Sequence, residues 1–228
     1  DLVVIWLIAL AWYGADRQQR TPVPRRLVWI VNRRVLVQQV FELAGKLLAI
    51  LCAHDDGQGV QEFKRCLGNL SGSQSEVFHV IQLRGQLVDD RTWSVRPELP
   101  QLIIGTVDQI GSRLLFQGYG LGKWSRPLQA GLLAVDAWLC VDEAHLVPAF
   151  VLTLRQAFQH IQTVPAGLPE FLRPVFDGLP FWLTELSATP SLPRPEVEET
   201  LPLDSEDEDD PQIADRLLAA RTRRVNVT

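Results

Sequence analysis

The residues of this sequence best suited to chemistry are two adjacent carboxylates, Asp142 and Glu143, followed closely by His145. They come directly after residues 137–141, an apolar run with the composition of a buried strand. A strand end holds neighbouring carboxylates rigidly, so Asp142 can bind Mg²⁺ through its water shell while Glu143 orients and deprotonates an attacking water. The pattern therefore predicts a metal-assisted hydrolytic site in which His145 couples the reaction to other parts of the protein.

A simpler explanation is that the carboxylates stabilise the amino end of the helix predicted from residue 146. That explanation does not account for Ser187 and Thr189, two hydroxyls at the end of the next predicted strand. Alone, the run Ser187-Ala188-Thr189 would only terminate a strand, with Pro190 beginning a loop. Because the carboxyl ends of parallel strands meet at one edge of a sheet, we expect both hydroxyls beside Asp142 and Glu143.

The elements that must position these residues alternate between strand and helix patterns along the chain. The apolar runs predict strands at residues 27–31, 77–83, 102–104, 137–141 and 181–186. Helical spacing predicts helices at residues 2–12, 35–51, 62–67, 107–116 and 146–162. This alternation predicts an α/β fold with a mostly parallel sheet and helices on both faces.

Length and charge set the limits of this interpretation. A chain of 228 residues can form one sizeable α/β domain and a tail, but not two lobes of roughly 150 to 200 residues each. Nine acids between residues 196 and 210 turn a body of net charge +4 into a chain of net charge -5. We therefore predict a domain at residues 1–190 and an acidic linker at residues 191–228, leading towards a further unit. The mildly basic body permits nucleic-acid contact without demonstrating it.

The cysteines and the apolar start of the chain indicate a protein of the cytoplasm. Cys52, Cys66 and Cys140 are odd in number and form no C-x-x-C pair, which argues against a disulfide framework and a zinc site. The apolar run at residues 2–13 is shorter than the roughly 20 residues that span a bilayer. We expect it to be a buried helix and expect no membrane partner.

At this point the sequence resembles a known family. Asp142-Glu143-Ala144-His145 followed by Ser187-Ala188-Thr189 is similar to the second and third signature motifs of superfamily 2 helicases, and the likeness covers residues 1–190. Further runs resemble the CRISPR-associated helicase-nuclease of type I systems, in the variant whose nuclease domain follows the helicase. Those runs are Gly105-Thr106-Val107-Asp108-Gln109, Tyr119-Gly120, Asn32-Arg33-Arg34-Val35-Leu36-Val37 and Leu83-Arg84-Gly85.

The resemblance implies the first RecA-like lobe, a three-layer fold, of a motor that uses ATP and Mg²⁺ to move on single-stranded DNA. It implies that Ser187 and Thr189 couple ATP hydrolysis to DNA binding and that Arg33, Arg34 and Thr106 contact DNA, with Arg84 a weaker candidate. A guide-RNA surveillance complex, a second RecA-like lobe and a nuclease domain are the implied partners. In this family the phosphate-binding loop immediately precedes the helix predicted at residues 2–12, so we expect it before Asp1 and expect the isolated chain to be inactive.

Other interpretations remain open. Another superfamily 2 DNA or RNA helicase or restriction translocase would share both motifs, and a non-catalytic nucleic-acid-binding fragment is the alternative from a different class. Without the family likeness, Arg33 and Arg34 fit ordinary solvated surface residues. Residues 118–124 superficially resemble a phosphate-binding loop, but Gln117 stands where the first glycine is needed and Trp124 where a hydroxyl is needed.

Overall fold

The computed structural model describes residues 2–15, 22–52, 57–72, 76–83, 92–162, 169–170 and 181–187. The helices are α1 Leu2–Gly14, α2 Arg34–Cys52, α3 Gln58–Ser71, α4 Thr92–Val95, α5 Val107–Leu114, α6 Ser125–Ala134 and α7 Pro148–Gln162. The strands are β1 Arg26–Val31, β2 His79–Leu83, β3 Gln101–Thr106, β4 Ala137–Val141 and β5 Phe181–Glu185. A short 3₁₀ turn, Ala144–Leu146, separates β4 from α7.

The five strands form one parallel sheet in the order β2-β3-β1-β4-β5. Parallel neighbours need long crossover connections, which here contain the helices predicted between the strand patterns. Each predicted strand is present, with its ends within two residues of the expected positions. The structure confirms the α/β class and the parallel sheet, and the arrangement is consistent with a RecA-like fold.

Helices cover both faces of the sheet. On one face Leu27, Val31 and Leu102 pack in a common core with α1, α2 and α3. Helix α5 lies on the other face. Ile104 of β3 belongs to the common core, whereas a side-chain carbon added at the next residue, Gly105, would meet Ile110 of α5 at 3.0 Å. Successive residues of a strand face opposite sides, so this contact belongs to the face away from the common core. The domain therefore has the three layers that the sequence predicts.

The apolar start of the chain is a helix, as predicted, but only one face of it is buried, since Ile5, Ile8 and Trp12 are 60%, 55% and 79% exposed. Trp6, Leu7 and Leu10 of α1 are fully buried, and the Trp6 indole Nε1 donates a hydrogen bond to the carbonyl oxygen of Pro24 at 2.7 Å. The same indole makes an edge-to-face contact with Phe78, with ring centroids 6.1 Å apart. None of the helices in the described part of the chain has the length and apolar character needed to cross a membrane.

The amino ends of β1 and β4 are held together by a buried charge. Arg26 is 5% exposed, and its guanidinium lies 3.5 Å from the carboxylate of Asp136, which also accepts a hydrogen bond from the backbone N–H of Arg25. The guanidinium also donates to the carbonyl oxygens of Pro97, Leu132 and Val135. Burial raises the pKa of Asp136 more than the charge of Arg26 lowers it. This cluster aligns two adjacent strands and so sets where their carboxyl ends fall.

Three helices depart from the sequence prediction. The sequence predicts neither the single turn α4 nor α6, whose Pro127 occupies the first turn, where its missing N–H costs no hydrogen bond. The predicted short helix at residues 62–67 extends over Gln58–Ser71 as α3, ending at Gly72 in a left-handed conformation. The domain boundary predicted at residue 190 and the acidic linker after it lie outside the described residues.

Candidate functional site

The predicted site residues gather at the carboxyl edge of the sheet. The strand register pairs Val31 with Thr106, Ile30 with Val141, and Val141 with Glu185. The residues at or just after these strand ends therefore follow one another along a single edge. Their order is Thr106 on β3, Arg33 and Arg34 after β1, Asp142 and Glu143 after β4, and Ser187 after β5.

Hydrogen bonds on both sides fix the turn that carries the carboxylates. The backbone N–H of Asp142 donates to the carbonyl oxygen of Ile30 at 2.9 Å, so the pairing of β1 with β4 continues into the site. On the other side, Leu186 donates to Val141 and Ala144 donates to Leu186, each at 2.9 Å. The position of Asp142 is thus set by the backbone of two neighbouring strands. Such rigid placement is what a group that must orient a metal ion or water requires.

Glu143 adopts a left-handed backbone conformation, with φ 52° and ψ 47°. This region costs a residue with a side chain roughly 1–2 kcal/mol, and glycine enters it more readily. The side chain of Glu143 is 47% exposed, so burial of the side chain does not offset that cost. A strained, exposed carboxylate at a strand end is typical of a functional residue.

His145 connects the turn after β4 to the end of β5. Its Nδ1 lies 2.9 Å from Oγ of Ser187 and 3.3 Å from Oε2 of Glu143. In the Nδ1-protonated tautomer the ring donates to these oxygens, and in the other tautomer the Ser187 hydroxyl donates to the ring. The imidazole ring of His145 thus lies between the carboxylate of Glu143, which follows β4, and the hydroxyl of Ser187, which follows β5.

Arg33 and Arg34 lie at the amino end of α2 and are exposed. Cations at this end of a helix oppose the helix dipole, and no ion pair of either arginine is found among the described residues. Within the described part of the chain, these two charges therefore have no acidic partner. Together with the positive end of the helix dipole they form a suitable surface for a phosphate group.

Thr106 has a structural role that the sequence analysis missed. It is 8% exposed, and its Oγ1 accepts a hydrogen bond from the backbone N–H of Gln109 at 3.4 Å, which caps α5. The pattern of a threonine three residues before a glutamine is a known start signal for a helix and could have predicted the cap. The two remaining predicted site residues, Arg84 and Thr189, lie outside the described residues.

A second residue pair missed by the sequence analysis positions the end of β5. Arg155 of α7 makes a two-pronged ion pair with Glu185, at 2.6 Å and 2.9 Å. Both side chains are largely buried, with 13% and 19% exposure. Glu185 is the last residue of β5 and stands two residues before Ser187. In the sequence, the only sign of this ion pair is the carboxylate of Glu185 at the end of a mostly apolar strand. Its partner, Arg155, belongs to a separate helix, so no local pattern relates the two residues.

The donor set suits Mg²⁺ better than a transition metal. No group of three or more His, Cys, Asp or Glu residues able to hold a metal lies within the described part of the chain. Mg²⁺ commonly binds through one or two carboxylates, several waters and the phosphates of a substrate, so it needs no such cluster. The half-buried Asp142, fixed at a strand end, fits this mode of binding.

The glycine-rich run at residues 118–124 connects α5 to α6. A phosphate-binding loop instead connects a strand to a helix, so that phosphates meet the helix amino end beside the sheet edge. The setting agrees with the sequence argument against a phosphate-binding loop here.

No protein-family model matches this chain, and neither a curated protein nor a solved structure does. The function must therefore be argued from the motifs and from the geometry of the sheet edge.

Proposed function

We propose that this chain is most of the first RecA-like lobe of an ATP-dependent superfamily 2 helicase or translocase. The observation that carries the proposal is the 2.9 Å contact between His145 Nδ1 and Ser187 Oγ, which joins the two signature-like motifs at the carboxyl edge of a parallel sheet. A capping role for the carboxylates alone requires no such contact between motifs 42 residues apart. Ligands of α/β sheets bind at this edge.

In the proposed reaction, Asp142 would hold Mg²⁺ through its water shell at this edge, and the bound ion would neutralise charge on the phosphates of ATP. Glu143 orients the attacking water and accepts its proton. His145 contacts both Glu143 and Ser187, so a change at Glu143 during hydrolysis moves the His145 ring and, through it, Ser187. By motif resemblance, Thr189 shares with Ser187 the role of coupling hydrolysis to DNA binding. The phosphate-binding loop and the second lobe, which the reaction also needs, belong to other parts of the proposed protein.

The same edge offers a surface for nucleic acid. Arg33 and Arg34 present guanidinium groups after the end of β1, the largely buried Thr106 places its hydroxyl at the end of β3, and Arg84 follows β2 in the sequence. Such groups contact phosphates without reading bases, as a motor that moves on any sequence requires. We propose single-stranded DNA as the track. By motif resemblance, a guide-RNA surveillance complex and a nuclease domain are the partners, and the cytoplasm is the site of action.

The central test is substitution of Glu143 in a protein that carries this lobe together with its phosphate-binding loop and second lobe. Glu143→Gln should lower kcat for ATP hydrolysis by about 100-fold or more, because a general base contributes at least that factor, while ATP still binds. Glu170→Gln, which changes another exposed carboxylate in the same way, should leave kcat within about twofold. Unchanged turnover in Glu143→Gln would refute the proposed role.

The isolated 228-residue chain should hydrolyse ATP slowly or not at all, because residues that bind the phosphates are expected elsewhere. Malachite-green detection of released phosphate, with and without oligonucleotide, measures this directly. Robust hydrolysis that is lost in Glu143→Gln would show that the parts outside the chain are not essential.

A non-catalytic nucleic-acid-binding role is the second candidate, favoured by Arg33 and Arg34 at the amino end of α2, which form no ion pair with any described residue. It predicts DNA binding that persists without nucleotide and is unaffected by Glu143→Gln. The motor instead predicts that binding of nucleotide changes the affinity for DNA, and that Glu143→Gln changes this coupling. Comparing the two affinities by fluorescence anisotropy separates these functions.

A further inference from the structure

The connection between α5 and α6 exposes several aromatic rings. In this segment, residues 115–124, which we call the aromatic loop, Phe116 is 54% exposed, Tyr119 51% and Trp124 86%. None of the ring contacts found among described residues involves these three rings. Exposed aromatic rings without packing partners cost hydration free energy, which suggests that they are kept for binding.

The charged residues in and beside the aromatic loop along the sequence have one sign. Lys123 lies within the aromatic loop and Arg126 follows it in α6, while the sequence contains no Asp or Glu between Asp108 and Asp136. Lys123 forms no ion pair with any described residue. Rings interspersed with cations, and free of carboxylates, suit a polyanion with flat aromatic groups.

Backbone hydrogen bonds and a buried arginine hold the aromatic loop in place. The backbone N–H of Gln117 donates to Ser112 at 2.7 Å, and that of Ser125 donates to Gly122 at 3.0 Å. Gly118 is buried against the fully buried Arg113, whose guanidinium bonds to Gln109 and Gln129 and so ties α5 to α6. The rings therefore project from a supported turn, which lowers the entropy lost on binding.

The turn at Phe116 fixes the start of the aromatic loop. Its φ of 60° lies in the left-handed region and closes α5, because the backbone N–H of Phe116 donates to the carbonyl oxygen of Arg113 at 3.0 Å and that of Gln117 donates to the carbonyl oxygen of Ser112 at 2.7 Å. Helices commonly place glycine or asparagine at this position, whereas this chain places an aromatic side chain there that is more than half exposed.

We propose that the aromatic loop is a base-stacking site for single-stranded nucleic acid. Trp124 and Tyr119 stack on unpaired bases, and Lys123 and Arg126 neutralise the neighbouring phosphates. The proposal rests on the proposed function and extends it, because it adds a contact to bases beyond the phosphate contacts at the sheet edge. Stacking tolerates every base, so it is compatible with a motor that moves on any sequence.

The test measures binding of the 228-residue chain to a labelled oligothymidylate of about 20 nucleotides by fluorescence anisotropy. Trp124→Ala should weaken binding about fivefold or more, and Trp124→Leu should weaken it similarly because leucine is apolar but has no ring to stack. Trp124→Phe should stay within about twofold of the unsubstituted chain. Circular dichroism verifies that each variant is folded.

Two controls sharpen this measurement. Trp12→Ala removes another exposed tryptophan, 79% exposed on α1, and should leave binding unchanged. On an abasic strand of equal length, Trp124→Ala and the unsubstituted chain should bind equally, because only phosphate contacts remain.

The outcomes separate the two proposals. If the unsubstituted chain binds the oligonucleotide and Trp124→Ala or Trp124→Leu binds equally well, the stacking site is wrong while the proposed function stands. If Arg33→Ala and Arg34→Ala weaken binding but Trp124→Ala does not, contact is confined to the sheet edge. Failure of the unsubstituted chain to bind any single strand would overturn both.

Discussion

At the scale of single residues, Glu143 has an unfavourable backbone conformation and a partly exposed carboxylate beside His145. Its left-handed conformation follows from the turn that joins β4 to the 3₁₀ segment, where Leu146 donates a hydrogen bond to the carbonyl oxygen of Glu143 at 2.9 Å. The turn brings His145 within 3.3 Å of the Glu143 carboxylate and leaves that carboxylate partly exposed. The left-handed backbone at Glu143 therefore lowers the stability of the fold but places the carboxylate next to His145.

A substitution pair tests that cost. Glu143→Gly should be more stable than Glu143→Ala by about 1 kcal/mol. Glycine enters the left-handed region without a steric clash, whereas the Cβ atom of alanine still clashes there. In an ordinary helix the order is reversed, with alanine the more stable. Both variants lose the contact with His145, so that contact cancels in the comparison. Urea unfolding followed by circular dichroism gives the difference, and an alanine variant equal to or more stable than glycine would contradict the strained turn.

At the scale of elements, α1 packs against α3 unusually closely. At Gly14 an added side-chain carbon would lie 2.1 Å from the backbone oxygen of Cys66, a distance that no rearrangement of a side chain can relieve. The side-chain amide of Asn69 donates a hydrogen bond to the carbonyl oxygen of Gly14 at 2.9 Å, across the same contact. The two helices are therefore in backbone contact where α1 ends.

Two matched glycines measure the energy of this contact. Gly14→Ala should lower the free energy of unfolding by about 2 kcal/mol or more, because the helices must separate. Gly45→Ala, in α2 with no atom within 4 Å of the added carbon, should raise it by up to about 1 kcal/mol through helix propensity. Thermal and urea denaturation of both variants provide the measurement. Equal effects of the two changes would show that α1 does not approach α3 so closely.

At the scale of the whole molecule, the sheet encloses a cysteine that reports on global unfolding. Cys140 of β4 is fully buried, and burial, assisted by the charge of Asp142, raises the pKa of its thiol to about 12. Only the thiolate reacts, so at pH 8 the folded protein holds very little reactive thiolate, and burial also shields it from the reagent.

Labelling should therefore follow unfolding. In a Cys52→Ser background, iodoacetamide at pH 8 should modify Cys140 far more slowly than a free thiol, with a rate that rises in urea along the unfolding transition. Peptide mass spectrometry distinguishes Cys140 from Cys66, which is also buried. Modification of Cys140 at the rate of a free thiol without denaturant would show that the strand opens independently of the domain.

The positions of the strands and most of the chemically suited residues follow from local patterns. Apolar runs predict β1 to β5, and polar residues directly after those runs predict a site at one edge of a parallel sheet. The short helix α6 was not predicted, and its Pro127 lies in the first turn, which tolerates proline. The Arg155–Glu185 pair was missed because it joins residues 30 positions apart, which no local pattern relates.

The sequence by itself determined the α/β class, the strands and the polar residues that follow them, because hydrophobic periodicity and turn chemistry act over a few neighbouring residues. Only the tertiary structure decided that β1 lies between β3 and β4, so that Arg33 lies between Thr106 and Asp142 along the edge. It also decided the left-handed turn at Glu143 and the contact of His145 with Ser187. These features depend on backbone hydrogen bonds and packing between segments far apart in the chain, which hold residues in conformations that their own preferences would not select.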